Sequence, residues 1–378
     1  MNILHPYFIV AMVIMMICSF YETYSEKLDR KYLYWLGAYF IILAGFRDNV
    51  GADFGSYLGI YYWSETKDYW SIFLKALGLT PPNPVELEWG FVFINKVVRM
   101  FNAPFFMLTF VVAILAVTFK NKFVEENTMY PFTFLLIFFI PGFFVGESGQ
   151  IRQNLGSFIA YYAIRYIKER RVWMYLLFIH IAAGMHTVCY ILLPMYWVAR
   201  IPLNKMMMLL LIIGSLIASP FEVYRIFGSW LENLTADATV AVGFNGYMNE
   251  TIVRQRGEFG LPELMMTIVT FFLFAFDTPM KKKYPYYEYH RNYAVIAICS
   301  YFIFRNNPIF SSRLAGVFVG VSYLIIPNAM YVVNEGTKKI IHFFIICLAI
   351  FNFLVFSSFN NISKGRFTID RYKNWILP

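Results

Sequence analysis

Long apolar runs separated by short charged stretches dominate the chain. The runs occupy residues 3–20, 32–46, 104–119, 130–145, 155–167, 172–184, 186–199, 206–218, 261–276, 293–304, 314–333 and 340–356. None alternates apolar and polar positions with the period of two that a strand or barrel would show. Lipid offers no hydrogen-bond partner to a backbone amide, so runs of this kind predict membrane-spanning helices. The pattern therefore predicts an all-α polytopic bundle of about twelve spans, 11–13 in all, forming a single integral membrane domain over residues 1–378. The first run has neither a basic leader nor a small-residue cleavage site, and reads as an uncleaved span. Two longer polar segments interrupt the series, residues 47–103 and 220–260. The first contains the turn Leu79-Thr80-Pro81-Pro82-Asn83-Pro84. Residues 88–100 follow as an amphipathic surface helix carrying Lys96 and Arg99. No internal repeat is visible.

Basic residues orient the bundle, because lysine and arginine hold loops on the cytoplasmic side. Lys27, Arg30 and Lys31 follow the first run, Lys120 and Lys122 the third, and Lys168, Arg170 and Arg171 the fifth. Arg200 and Lys205 follow the seventh, Lys281, Lys282 and Lys283 the ninth, and Lys338 and Lys339 the eleventh. Every second loop is thus basic. The alternation places both termini and the two long segments outside. The tail, residues 360–378, resists this scheme, since it holds Lys364, Arg366, Arg371 and Lys373. A thirteenth crossing within residues 88–100, or a basic surface helix, would account for it.

Composition agrees with a membrane protein. The chain is 59% hydrophobic, 20% aromatic and 15% charged, where a soluble domain carries about 25% charge. A net charge of +9 would suggest nucleic acid for a soluble protein. Here the inner loops absorb most of it, and no nucleic-acid partner is expected. Cys18, Cys189, Cys299 and Cys347 lie in apolar runs without disulfide or metal spacing. His5, His180, His186, His290 and His342 have no zinc spacing. Acidic clusters suited to magnesium, nucleotide-binding glycine loops and a G-x-S-x-G elbow are missing from the sequence. An enzyme written in this sequence is expected to be metal-independent and to need no cofactor.

The positive-inside rule leaves a second set of charges unexplained. The outer ends and loops hold Arg47, Asp48, Asp53, Glu147, Arg152, His186, Arg225, Arg254, Arg256, Glu258, Arg305 and Arg313. An arginine at the bilayer centre costs about 2.5–3.5 kcal/mol on insertion scales, so these face water or an anion. Arginine presents a fixed fork of donors that fits phosphate oxygens, which points to a lipid-linked phosphate. In Arg47-Asp48-Asn49-Val50-Gly51-Ala52-Asp53-Phe54-Gly55-Ser56-Tyr57, Gly51 and Gly55 permit a tight turn that brings amides to a ligand. An Arg47–Asp53 salt bridge is the structural alternative. Arg152 with Gln153 opens a helix whose N-terminus favours anions; a snorkelling arginine is the alternative. His186 is either functional or a satisfied core histidine. Arg305 and Arg313 bracket a loop entering a span. Arg254, Arg256 and Glu258 read as a lid or as a solvated face.

Four of these segments resemble the motifs of EpsG-like proteins, which belong to the bacterial Wzy-type polysaccharide polymerases. The segment from Phe46 to Tyr57 resembles their arginine, Val-Gly-Thr-Asp-Tyr, tyrosine signature, with Ala52 and Phe54 in place of Thr and Tyr. Ile151-Arg152-Gln153-Asn154-Leu155 is similar to their Ile-Arg-Gln helix start. His186 followed by Ile191-Leu192-Leu193-Pro194 resembles their histidine-then-proline span, and Ser311-Ser312-Arg313-Leu314 their late Ser-Arg motif. The likeness runs in order over most of the chain.

The resemblance implies a GT-C-like glycosyltransferase architecture in the bacterial inner membrane, with the active site facing the periplasm. It implies transfer of a growing glycan from undecaprenyl diphosphate to an incoming undecaprenyl-diphosphate-linked repeat unit, with a chain-length regulator as a conceivable partner. In that reading Arg47, Arg152 and Arg313 hold the diphosphate, with Arg305 as a fourth. Tyr57, Gln153, Arg254 and Arg256 bind substrate. His186 or Asp53 is the base, with Glu258 behind them. A flippase or exporter of the same lipid-linked sugars is the non-enzyme rival, and would need arginines on both sides of the midplane. An O-antigen ligase differs only in acceptor. A membrane acyltransferase would need a deep histidine such as His180 or His290.

Overall fold

The computed structural model describes residues 4–25, 28–51, 53–223, 259–307, 310–357 and 372–377. Among these the regular elements are helical, with one isolated antiparallel bridge between Arg47 and Asn374. The expected all-α class is therefore observed. Five helices are long and apolar enough to cross a membrane: Pro6–Tyr24, Phe105–Asn127, Leu261–Lys283, Ser311–Val332 and Glu335–Phe356. Val172–Met185, Thr187–Val198 and Lys205–Phe221 are apolar but shorter. This is a multi-pass membrane protein. Each expected run is helical, and among the described residues these five have the length and apolarity of a full crossing. Residues 88–100 do not form a further long span, since that helix is short and amphipathic.

The described residues divide into two compact units, Met1–Tyr190 with Asn334–Pro378, and Ile191–Val333. In the first unit, α1 (Pro6–Tyr24), α2 (Lys31–Gly45), α3 (Phe54–Trp63), α4 (Tyr69–Ala76) and α5 (Trp89–Met100) precede α6 (Phe105–Asn127). Then come α7 (Pro131–Ile137), a wide π-type turn (Ile140–Glu147), α8 (Ile151–Tyr162), α9 (Ile164–Lys168) and α10 (Val172–Met185). Helix α6 packs on α2 and α8, and α8 packs on α10. Helix α7 packs on α1 and on the closing helix Glu335–Phe356. Sequence dictates several breaks. Pro131 opens α7, and the Glu22 carboxylate caps it, accepting from the amides of Phe132 (3.0 Å) and Thr133 (2.6 Å). Pro141 has no amide to give to the turn before it, and there the helix widens to π geometry.

Charge sorts along the length of this unit. Arg30 and Lys122 meet Glu125 (both 3.4 Å), Arg165 meets Glu126 (3.3 Å) and Lys168 donates to Asn127 (2.7 Å). Three loops expected on one side thus share one end. Arg47 lies beyond the opposite end of α2, and Arg152 opens the helical stretch that Lys168 closes. The chain end joins Arg47's end: Asp48 N–H donates to Lys373 O (2.9 Å), and Trp375 N–H to Phe46 O (2.8 Å). Residues 372–377 therefore sit at the Arg47 end of this unit; Lys364, Arg366 and Arg371 lie outside the described residues.

Three expectations are corrected. Lys120 is not a loop cation: it lies inside α6 and pairs with Glu147, with side chains 3% and 0% exposed. Glu147 is therefore an interior residue and not part of an outer loop. Gly55 does not shape a turn, since it sits within α3 with open space beside it.

In the second unit, Lys205–Ala218 packs on Tyr287–Phe304, and Leu261–Lys283 packs on Ile325–Val332. Asn292 donates to the carbonyls of Val198, Ala199 and Ile201 (2.8–3.1 Å). Those bonds end the helix Met195–Val198 and hold the following turn.

Candidate functional site

The site grows from the turn after α2. Gly51 adopts φ +106°, a backbone conformation open to glycine. A side chain there would meet the Ser148 carbonyl oxygen at 2.1 Å. Two segments that lie almost a hundred residues apart are thereby laid together, the loop 47–53 and the turn before α8. Arg47 is buried (1% exposed) and folds back on this loop, donating from Nε to Val50 O (3.2 Å) and from Nη1 to Ala44 O. Burial lowers its pKa to about 10, which leaves it charged at neutral pH. No Arg47–Asp53 ion pair forms. Asp53 instead stands at the N-cap of α3, where its carbonyl accepts the Tyr57 amide (3.0 Å).

Tyr57 is the hub of the first motif. Its ring is buried (3% exposed), with Phe91 edge-on at 5.9 Å. Its hydroxyl feels the charges of Arg152, Asp53 and Arg47. The Arg152 guanidinium lies 5.9 Å from the Tyr57 ring centroid and 5.8 Å from that of Phe91. An arginine clasped by two rings keeps its plane fixed. It also opens α8, where free amides add to the positive field.

The residue that joins these parts is Glu88, which sequence reasoning passed over. It is the N-cap of α5, and its Oε2 accepts from Arg152 Nη1 at 2.6 Å. Its Oε1 accepts from the Thr187 amide at 3.3 Å, beside His186. Burial would raise this carboxyl's pKa, but Arg152 and His186 outweigh burial and hold it below the usual value. Glycines permit the approach: a Cβ on Gly90 would meet Gly184 O at 2.9 Å, and one on Gly184 would meet the Trp89 ring at 2.6 Å. The signal that could have found Glu88 is an acid at the very start of the amphipathic run 88–100, the usual N-cap position of a helix.

His186 ends α10 and is 8% exposed. Its Nδ1 accepts the Val188 amide (3.3 Å). Gln153 is buried, at 7% exposed. The first unit thus links Arg47 and Asp53 to Tyr57, Tyr57 to Arg152, and Arg152 through Glu88 to the turn at His186 and Thr187. Arg305 and Arg313 belong to the second unit, Arg305 at the C-terminus of Tyr287–Phe304 and Arg313 in the π-turn Ser311–Ala315. Arg254, Arg256 and Glu258 lie outside the described residues. His180 is tied at both ring nitrogens, to Tyr190 Oη and to Ala76 O (2.9 Å each), a poor arrangement for an acyltransferase base. Among the described residues no group of histidine, cysteine and acidic side chains is placed to hold a metal ion.

The EpsG family model matches residues 30–374, nearly the whole chain. The chain belongs to the EpsG family. No curated protein and no solved structure is significantly similar to it. The match spans both units, and takes in Arg47, Tyr57, Glu88, Arg152 and His186 together with Arg305 and Arg313.

Proposed function

We propose that this EpsG-family protein polymerises lipid-linked oligosaccharide repeat units. It moves a growing glycan from undecaprenyl diphosphate to the outermost sugar of an incoming lipid-linked unit, on the periplasmic face of the bacterial inner membrane. The observation that carries this reading is Arg152: it opens a helix, is clasped by Tyr57 and Phe91, and keeps 19% of its side chain exposed. A diphosphate leaves well once its charge is met. A fixed guanidinium beside a helix N-terminus can meet it without a metal ion. Arg47, closed onto Ala44 and Val50, shapes the loop more than it offers a hand to a ligand. Any part taken by Arg305 and Arg313 rests on their sequence positions. The reading carries with it about twelve crossings and a GT-C-like arrangement.

The test is polymerisation by purified protein from a lipid-linked repeat unit in the presence of EDTA. Wild type should give a ladder of lengthening glycan, and Arg152→Ala should give none. A folded wild type without a ladder would favour transport or ligation. A ladder undiminished in the variant would remove Arg152 from the site.

A further inference from the structure

We propose that Glu88 is the internal anion of this site, displaced from Arg152 by the incoming diphosphate and thereby freed to act as the base of the transfer. This rests on the polymerase reading and names a residue that the sequence motifs left out. The geometry has three parts. First, Glu88 Oε2 occupies the hydrogen-bonding edge of Arg152 at 2.6 Å, where a phosphate oxygen would otherwise bind. Second, the pair is enclosed without being sealed, with side chains 19% and 12% exposed. An anion can therefore reach it. Third, the other carboxylate oxygen stays on the Thr187 amide, which keeps Glu88 in the site when Arg152 turns away.

The electrostatics follow the exchange. While Arg152 is paired to it, Glu88 is a weak base, because the guanidinium and His186 stabilise its charged form. A diphosphate that takes Arg152 removes the larger of these two effects. Burial then dominates and raises the carboxylate's affinity for a proton. Glu88 thus becomes basic when the donor is in place, which protects the unloaded site from futile chemistry. His186 is the weaker candidate for the base. Its Nδ1 accepts the Val188 amide, so that nitrogen's lone pair is already engaged. In the transfer, the acceptor hydroxyl oxygen forms a bond to the donor's anomeric carbon. The bond from that carbon to the diphosphate oxygen breaks, and its electron pair leaves on the diphosphate held by Arg152. The hydroxyl proton passes to Glu88.

The test measures binding and turnover together, on the full chain in detergent. Farnesyl diphosphate is the binding probe, and polymerisation is followed from a lipid-linked repeat unit. Glu88→Gln removes the competing charge, so farnesyl diphosphate should bind about tenfold more tightly. Turnover should fall by about a hundredfold or more, the usual loss of a general base. A residue that merely supports the fold would weaken both. Unchanged or weaker binding in Glu88→Gln, or turnover kept within a few-fold, overturns the proposal. Should Glu88→Gln fail to fold, Glu88→Asp carries the test: it keeps the charge but withdraws the carboxylate from Arg152, and binding should again tighten. A wild type that polymerises while the variants show no exchange sinks the role of Glu88 alone. A wild type that neither polymerises nor binds the probe sinks the polymerase reading with it.

Discussion

Alanine at position 51 tests whether the site is built as described. Residue 51 sits at φ +106°, where an L side chain costs about 1–2 kcal/mol. Its Cβ would stand 2.1 Å from the Ser148 carbonyl oxygen, where real contacts stop at 3.0 Å. The opposing atom is backbone, so the loop and the turn before α8 must part. Overpacking of this kind costs about 1–3 kcal/mol. The two terms give a loss of about 2–5 kcal/mol, felt at the junction that brings Tyr57 to Arg152. Gly55→Ala is the matched control. Nothing lies within 4 Å of a Cβ there, and alanine is favoured over glycine in a helix by roughly 0.8–1.0 kcal/mol. Thermal unfolding in detergent should move in opposite directions for the two variants, downward for Gly51→Ala and level or upward for Gly55→Ala. Polymerisation should be lost in the first and kept in the second. If Gly51→Ala melts and works like wild type, the loop does not abut Ser148 and the site as drawn is wrong.

Lys120→Met should destabilise the protein by about 3–5 kcal/mol, because it leaves Glu147 buried and unpaired, while Lys120→Met/Glu147→Leu should recover most of that loss; chemical denaturation of the three proteins checks this, and equal loss in single and double variants would refute it. Glu88 faces Arg152 and His186, and its pKa is held below the usual value of 4.5. Its contribution to stability is therefore present above that value and lost as pH falls through the lowered one. The unfolding midpoint should drop on acidification below about pH 4.5, and less so in Glu88→Gln. Tyr57→Phe keeps the ring beneath Arg152 but removes the hydroxyl; it should retain the fold by thermal unfolding and lose part of the polymerisation rate.

The spacing of apolar runs was enough to predict an all-helical membrane protein, because lipid leaves the backbone no other way to satisfy its amides. Positions of lysine and arginine were enough to gather Arg30, Lys122 and Lys168 at one end of a unit and Arg47 and Arg152 at the other. These are properties of local sequence, since hydropathy and charge act residue by residue. Lys120 shows where that logic stops. Its partner Glu147 lies on another helix, and only packing could turn an apparent loop cation into half of a buried pair. Gly51 and Gly55 look alike in sequence. The difference between them is set by the Ser148 carbonyl, which arrives from almost a hundred residues away. Glu88 was invisible for the same reason: an acid before a helix is an ordinary cap until Arg152 and Thr187 are brought to it. Sequence determined which residues would form apolar helices and which charges would gather at each end of the first unit. Tertiary structure decided which charges meet, because an ion pair depends on distances that no spacing along the chain records.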